Sequence, residues 1–451
     1  MIEDRLGIDI AGRMITPGDD DYDAARQVVL PVDARPAAIV RVAGADDVAK
    51  VIAYARETDT ELAVRCGGHS GAGHSTTDGG VVIDLRDLKR LDIDAEARTA
   101  WADAGLTAGE VTTALAEHGL AVGFGDTGSV GIGGITLGGG VGYLVRREGL
   151  TIDNLLAAEI VTSDGTVRTV DAEHEPDLFW AVRGGGGNFG VATRFKYRLT
   201  ELDEMVGGML ILPATPESIS GYMSAAEAAP EELSSIANVM TCPPMPFVPE
   251  EYHGTVVIMA LMAWTGPVAE AERALAPFRS LATPIADQLR PMAYPEMYPP
   301  EDPDYHPTAV ARNMFMRRVD SETAATIIRF LESSDAPMRV AQLRQLGGAM
   351  ARVPADATAY AHRSSPIMVN VAAFYEGEAD RPAKQAWVDE FAAALNQGDD
   401  GAYVNFVGDE GADGVRAAYP GPTFERLASI KAVYDPTNLF HRNQNVPPAT
   451  R

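Results

Sequence analysis

Arg65-Cys66-Gly67-Gly68-His69-Ser70-Gly71-Ala72-Gly73 follows directly on the apolar run Leu62-Ala63-Val64. This puts a histidine in a glycine turn at the end of a strand. Glycine lets backbone N–H groups approach a ligand without an intervening Cβ, and clustered N–H groups form anion-binding concavities. A second run, Gly125-Asp126-Thr127-Gly128-Ser129-Val130-Gly131-Ile132-Gly133-Gly134-Ile135-Thr136-Leu137-Gly138-Gly139-Gly140-Val141-Gly142, repeats the theme. The two loops are expected to bracket one cofactor site.

The rest of the chain reads outward from that pair. Asp46 or Asp47 is placed to cap a helix carrying Val48, Val51, Ile52 and Tyr54. Leu62 to Val64 and Val81 to Leu85 read as short buried strands, and Leu91 to Asp94 with Thr99 to Ala104 as a hairpin. Thr107-Ala108-Gly109-Glu110 has capping-box spacing ahead of a helix that ends at Gly119. Asp164-Gly165 marks a second hairpin. Val191, Thr193, Phe195, Tyr197 and Leu199 alternate with polar or small residues as a half-buried strand does. From Met205 to about Asp400 the sequence becomes Met- and Pro-rich, which suggests an apolar or aromatic cleft.

With 451 residues and 46% hydrophobic content the chain can build two real cores. Its two cysteines, Cys66 and Cys242, imply no disulfide framework, and no Cys/His spacing suits a metal. A net charge of -27 opposes nucleic acid and anionic membranes as partners. No apolar run is long enough to span a bilayer, so a cytoplasmic location is the default expectation. The sequence specifies no oligomeric state.

Four motifs in order carry a resemblance to a known family. They are Arg65 to Ser70, the second glycine loop, Leu178-Phe179-Trp180-Ala181-Val182-Arg183-Gly184-Gly185-Gly186-Gly187-Asn188-Phe189-Gly190, and the tail Tyr434 to Asn445. The chain resembles the FAD-linked oxidases with a vanillyl-alcohol-oxidase-type (PCMH-type) flavin fold, in the berberine-bridge-enzyme-like and 6-hydroxynicotine-oxidase-like branch. The resemblance implies an α+β fold of two domains. A discontinuous flavin domain, residues 1–204 with a returning segment 401–451, would pack on a substrate domain, 205–400, built on an antiparallel sheet.

The resemblance also implies chemistry. Its histidine is bonded to the flavin 8α-methyl, which would make His69 the FAD tether; alone, Gly-Gly-His-Ser reads as a tight turn with a solvent-facing imidazole. His74, in the similar Gly73-His74-Ser75, is the rival and is expected to pack the loop or hydrogen-bond. Many members carry a second link through a cysteine where this chain has Thr127, so a single link is expected. Cys66 reads as a small buried hydrophobe.

Arg65, Gly67, Gly68, His69, Ser70, Gly73 and His74 of the first loop, and Thr127, Gly128, Ser129, Gly133, Gly134, Leu137 and Gly142 of the second, are the expected cofactor contacts, with Asn443 and Asn445 from the tail. Backbone N–H groups of Thr127, Gly128, Ser129, Gly133 and Gly134 would hold the pyrophosphate. No Walker lysine and no dinucleotide-type acidic partner accompanies the run, which disfavours NAD(P). Neither Gly-His-Ser copy completes a G-x-S-x-G elbow.

Tyr403-Val404-Asn405 matches the Tyr-x-Asn pair that the family presents to the flavin's reacting face. A tyrosine can serve as base if neighbours lower its pKa from about 10, yet Tyr403 reads equally as a strand residue on the core. Tyr143 joins Tyr403 and Asn405 as a catalytic candidate, and Asn154, Arg312, Tyr375 and Tyr419 are weaker ones. The implied activity is oxidation of an alcohol or amine carbon of a small organic substrate, with O₂ reduced to H₂O₂. A dehydrogenase with another acceptor and a non-catalytic flavin carrier are the alternatives.

Overall fold

The computed structural model describes residues 7–30, 32–300 and 306–450. Three sheets lie within the first 201 residues. In the first, the parallel strands Ala38–Arg41, Val81–Asp84 and Leu62–Arg65 lie side by side, with Arg13–Ile15 antiparallel on the edge. Both faces are covered, which is why these strands are continuous apolar runs rather than alternating ones. Val40, Leu62, Val81 and Ile83 meet helix Ala45–Thr58 through Val48, Val51 and Ile52. Ile39, Ala63 and Val82 meet Ile15, Tyr22 and Ala25 on the other side.

The cap expected of Asp46 or Asp47 does not form. The helix starts at Ala45 with Gly44 as its cap, and both aspartates lie in the first turn. Asp47 turns back instead, accepting from the N–H groups of Ala43, Ala11 and Gly12, each at 2.9 Å. The N-terminal strand is thereby pinned to the helix start, where a carboxylate also suits the helix dipole.

The second sheet orders Leu91–Asp94, Thr99–Asp103, Val191–Arg198, Leu155–Val161 and Val167–Asp171, each pair antiparallel. Both expected hairpins are present here. Thr107 and Glu110 form the expected capping box, and Gly119 takes φ +66° beyond that helix.

The large antiparallel sheet spans Met205 to Phe374. Its spatial order is Ala286–Asp287, Met205–Pro213, Val256–Trp264, Leu233–Thr241, Arg339–Gln345, Ile367–Phe374, Ala309–Met316, with Arg290–Met292 also paired to Met205–Pro213. Strand alternation sends Val239, Leu343, Val369 and Val371 to one face, against Tyr222, Phe278, Ile327 and Phe391 of four helices. The opposite face looks towards the glycine loops, and Arg146 holds the two halves together. Arg146, 5% exposed, donates to the carbonyls of Ala226, Leu233 and Ala229.

The tail returns to the first core, where Leu427, Phe440 and Val446 are buried with Leu178 and Phe189. A buried ion pair shapes it: Lys431 Nζ lies 3.2 Å from Asp435 Oδ2 and donates to the Phe440 carbonyl at 2.7 Å. Asp435 accepts from the N–H groups of Leu439 and Phe440. Asn188 of the third glycine run closes the arrangement by donating to the Gln444 carbonyl and accepting from Val446 N–H.

Candidate active site

Strand Leu62–Arg65 delivers the histidine loop, and Arg65 fastens its end. Its guanidinium, 1% exposed, lies 2.7 Å from the fully buried Asp84. Burial presses the Arg65 pKa down while Asp84 raises it. Burial likewise opposes ionisation of Asp84, yet Arg86 and Arg65 outweigh it and hold the carboxyl below its ordinary range. Arg65 is therefore engaged with Asp84 behind the loop.

Gly68 and Gly73 take φ of +76° and +71°, the left-handed region where a side chain is strained. Gly67 and Gly131 stand back to back, so that a Cβ built on Gly67 would fall 2.4 Å from Gly131 N. The two loops thus meet backbone to backbone. His69 Nε2 and Ser129 Oγ lie 2.9 Å apart across this junction, which fixes the imidazole's orientation. The loop carbonyls of Gly128 and Val130 accept from Gly109 and Ala108 at the start of the preceding helix, Ala108–Ala116.

Cys66 explains one more glycine. A Cβ on Gly133 would lie 2.3 Å from its sulfur. Burial pushes the thiol up to about 12, although the Gly134 and Gly133 amides face the sulfur and pull the other way. Those two N–H groups, expected to cradle a pyrophosphate, are turned to Cys66. Gly134 has nothing within 4 Å of its would-be Cβ, so its Cα borders open space.

His74 donates its backbone N–H to Ser70 Oγ at 3.2 Å. Burial, with Arg442 nearby, lowers its imidazole pKa to about 4, so the ring is neutral at physiological pH. The tail reaches the same loop through Arg442, which donates to the carbonyls of Thr76 and Gly73. Asn443 donates to the Phe440 carbonyl, and Asn445 Oδ1 accepts from Lys431. The Leu137 carbonyl accepts from Gly184 and Gly186, and Gly142 packs against the Gly125 carbonyl.

Tyr403 and Asn405 meet the end of the second glycine loop. Tyr403 precedes a short 3₁₀ turn, Val404–Phe406, and so is not a strand residue. Its hydroxyl, buried, accepts from Asn405 Nδ2 at 2.8 Å and from Gly140 N–H at 2.9 Å. Its pKa lies above the usual tyrosine value because burial outweighs Asn405, Gly140, Val141 and Arg344, which act to lower it, so the lowered pKa asked of a base is not present in the resting side chain. Asn405 also donates to the Ile135 carbonyl, and a Cβ on Gly138 would fall 2.0 Å from its Oδ1.

Tyr143 stands apart from this nest. It is 1% exposed and tilted against Tyr298 at 6.2 Å, and burial, Asp126 and Tyr298 all raise its pKa. The lesser candidates have structural partners. Arg312 pairs with Asp389 and Glu410, Asn154 donates to the Glu148 and Leu150 carbonyls, and Tyr375 belongs to the helix-covered core. Tyr419 is buried beside Gly186.

A charged residue absent from the sequence reading joins the two halves of the site. Arg344, 4% exposed, lies 2.6 Å from Asp126 of the second glycine loop and over the Phe406 ring at 5.2 Å. Its partner lies 218 residues away, so only the alternation in Arg339-Val340-Ala341-Gln342-Leu343-Arg344 hinted at a polar face.

Open space beside Gly134, next to the junction of the two glycine loops, leaves room for a cofactor alongside them. His74 Nε2 and Asn443 Oδ1 are buried with no hydrogen-bond partner, as polar groups awaiting a ligand would be. Comparison with known proteins agrees. Residues 36–171 match the FAD binding domain family, and residues 402–447 match the family described as berberine and berberine like.

The chain belongs to the FAD-linked oxidoreductases of the berberine-bridge-enzyme-like family. It is 30% identical over 454 residues to the FAD-linked oxidoreductase YgaK of Bacillus subtilis, covering 98% of each chain. With (R)-6-hydroxynicotine oxidase of Paenarthrobacter nicotinovorans it shares 29% identity over 458 residues, again 98% of each. The crystal structure of 6-hydroxy-D-nicotine oxidase from Arthrobacter nicotinovorans superposes with a TM-score of 0.86 at 28% identity, covering 98% of this chain and 99% of that one. A chitooligosaccharide oxidase, at 20% identity and TM-score 0.84, shares the fold, over 97% of this chain and 98% of that one. Among the described residues, no helix is long and apolar enough to cross a membrane.

Proposed function

We propose that this protein is an FAD-dependent oxidase that converts an alcohol or amine carbon of a small organic substrate to the carbonyl or imine, with O₂ reduced to H₂O₂. The observation that carries the reading is the Tyr403 hydroxyl, buried between Asn405 and the Gly140 amide at the end of the cofactor loop. When bound, FAD supplies a two-electron acceptor. His69 is its single covalent tether, and Ser129 holds that ring in place.

Tyr403 takes the proton of the substrate hydroxyl or amine. Asn405 and Gly140 donate to the same oxygen, which offsets part of the cost that burial places on the phenolate that results. Residues 1–204 and 401–451 together form the flavin domain, and 205–400 supply the wall against which substrate is held. Enclosure between these halves keeps water from the reacting carbon.

The test begins with acid precipitation of the purified protein. A yellow pellet from wild type and a colourless one from His69→Ala are expected, and a colourless wild-type pellet refutes the tether. A donor screen following H₂O₂ release then tests the activity. Flavin bleached by a donor yet reoxidised by dyes and not by O₂ makes the protein a dehydrogenase instead.

A further inference from the structure

The large sheet's inner face carries a row of carboxamides that the oxidase reading leaves unused. Asn238, Gln342, Asn370 and Asn313 are direct cross-strand neighbours on four adjacent strands. Their parity is opposite to that of Val239, Leu343, Val369 and Val371, which face the helices. Met368, two residues from Asn370 and of the same parity, packs with Val141, Tyr360 and Tyr403, so the row faces the flavin loops.

One member of the row, Gln342, holds an arginine, and Asn238 braces it. Asp126 takes Arg344 Nη2, Gln342 Oε1 accepts from Nε at 2.9 Å and Nη2 at 2.7 Å, and Gln342 Nε2 donates to Asn238 Oδ1 at 2.9 Å. Asn238 in turn donates to the Met259 carbonyl. At the other end, Asn313 donates to the Val369 carbonyl and accepts the backbone N–H of Tyr403 at 2.6 Å. The chain therefore runs unbroken from the second glycine loop through Arg344 into the sheet. Two atoms are left over: Arg344 Nη1 and Asn370 Oδ1, both buried with no hydrogen-bond partner.

We infer that Arg344 and Asn370 read the substrate, and that the substrate is a neutral, hydroxyl-rich alcohol. This rests on the oxidase reading above. Arg344 offers a donor and Asn370 an acceptor, and a single neutral hydroxyl, which both accepts and donates, answers either. An aromatic hydrocarbon face would leave both unpaired, the arrangement that discriminates most strongly between substrates. Charge points the same way. Asp126 neutralises Arg344 at 2.6 Å, so a carboxylate at Nη1 would meet the Asp126 charge, and an ammonium would meet Arg344. The Met209, Met240, Met259 and Met338 cluster flanks the row, which confines the apolar cleft expected from composition to one side of this face.

The experiment measures anaerobic flavin bleaching of the holoenzyme by three donor classes: aldoses and short oligosaccharides, benzylic alcohols, and cyclic secondary amines. Wild type is expected to be bleached fastest by the saccharides. Asn370→Leu should raise the saccharide KM roughly tenfold or more, with flavin content unchanged, and shift preference towards benzylic alcohols. Arg344→Lys keeps the charge on Asp126 but loses the fork, and should lose saccharide affinity in the same sense. Bleaching by benzylic alcohols or amines but not by saccharides overturns the inference and leaves the oxidase reading standing. A saccharide-to-benzylic ratio in Asn370→Leu within twofold of wild type also overturns it. A flavin bleached by none of the three classes overturns both.

Discussion

Asn405 Nδ2 is shared between the Tyr403 hydroxyl, at 2.8 Å, and the Ile135 carbonyl, at 3.2 Å. The carboxamide so ties the tyrosine to helix Ile132–Gly138 within the second glycine run. Proton removal by a positioned base is typically worth about 10² to 10⁴ in rate. Tyr403→Phe should slow flavin reduction by that order while flavin content holds. Rapid mixing with an active donor checks it, and a rate within a few-fold of wild type removes Tyr403 from the mechanism.

Flavin attachment should be single. Thr127 has a hydroxyl where bicovalent relatives are expected to have a thiolate, and the Cys66 thiol, pushed up to about 12, stays protonated and unreactive. A peptide map should show one flavinylated peptide, containing His69. Flavin on Cys66 or on a peptide of residues 125–142 contradicts this.

Two alanine substitutions at the start of helix Ile132–Gly138, one at its cap Gly131 and one inside it at Gly134, should behave oppositely. Gly131→Ala puts a Cβ 2.3 Å from Gly67 N and 2.8 Å from Cys66 Cβ, so it should separate the loops and lower the melting temperature even without flavin. Gly134→Ala meets nothing within 4 Å and should melt like wild type, while its methyl intrudes on the space beside the loops and lowers flavin content. Thermal melts read alongside the flavin absorbance of each variant separate the two effects. Equal melting temperatures would refute the close packing of Gly67 on Gly131.

Lys431 should give stability a pH dependence of unusual sign. Burial lowers its pKa from 10.5 to about 8, against the pull of Asp435. Between those values the unfolded chain binds a proton that the folded one does not, so stability rises with pH across the window. Lys431→Met lacks this term and leaves Asp435 without its cation, at a cost of about 3 to 5 kcal/mol. The gap between wild type and variant should widen as pH is raised from about 8 towards 10.5, measured by denaturant melts. A gap that narrows over that range shows that Lys431 keeps its proton in the fold.

What the sequence disclosed was local. The Thr107 capping box and the Asp164-Gly165 hairpin depend on residues three or four apart, and both formed as read. Helical periodicity located Val48, Val51 and Ile52 but not the helix start, because Asp47 found partners at Ala11 and Gly12, some 35 residues back. Arg65 looked available because nothing nearby in sequence shows Asp84 beneath it. Arg344 escaped notice for the same reason: its meaning depends on Asp126 and on a strand register that brings Gln342 beside Asn370. Residues that bridge distant segments carry no signature in either segment alone.

The bond from Val446 N–H to Asn188, with Phe440 and Val446 buried among Leu178 and Phe189, has a consequence for biosynthesis. A chain made from its N-terminus has both glycine loops and the third glycine run outside the ribosome long before the last twenty residues are added. Until those residues emerge, Asn188 has no tail to bind and the apolar surface around Phe189 stays uncovered. Nascent chains of this protein should therefore depend on chaperones through most of translation, and cofactor loading should be a post-translational event.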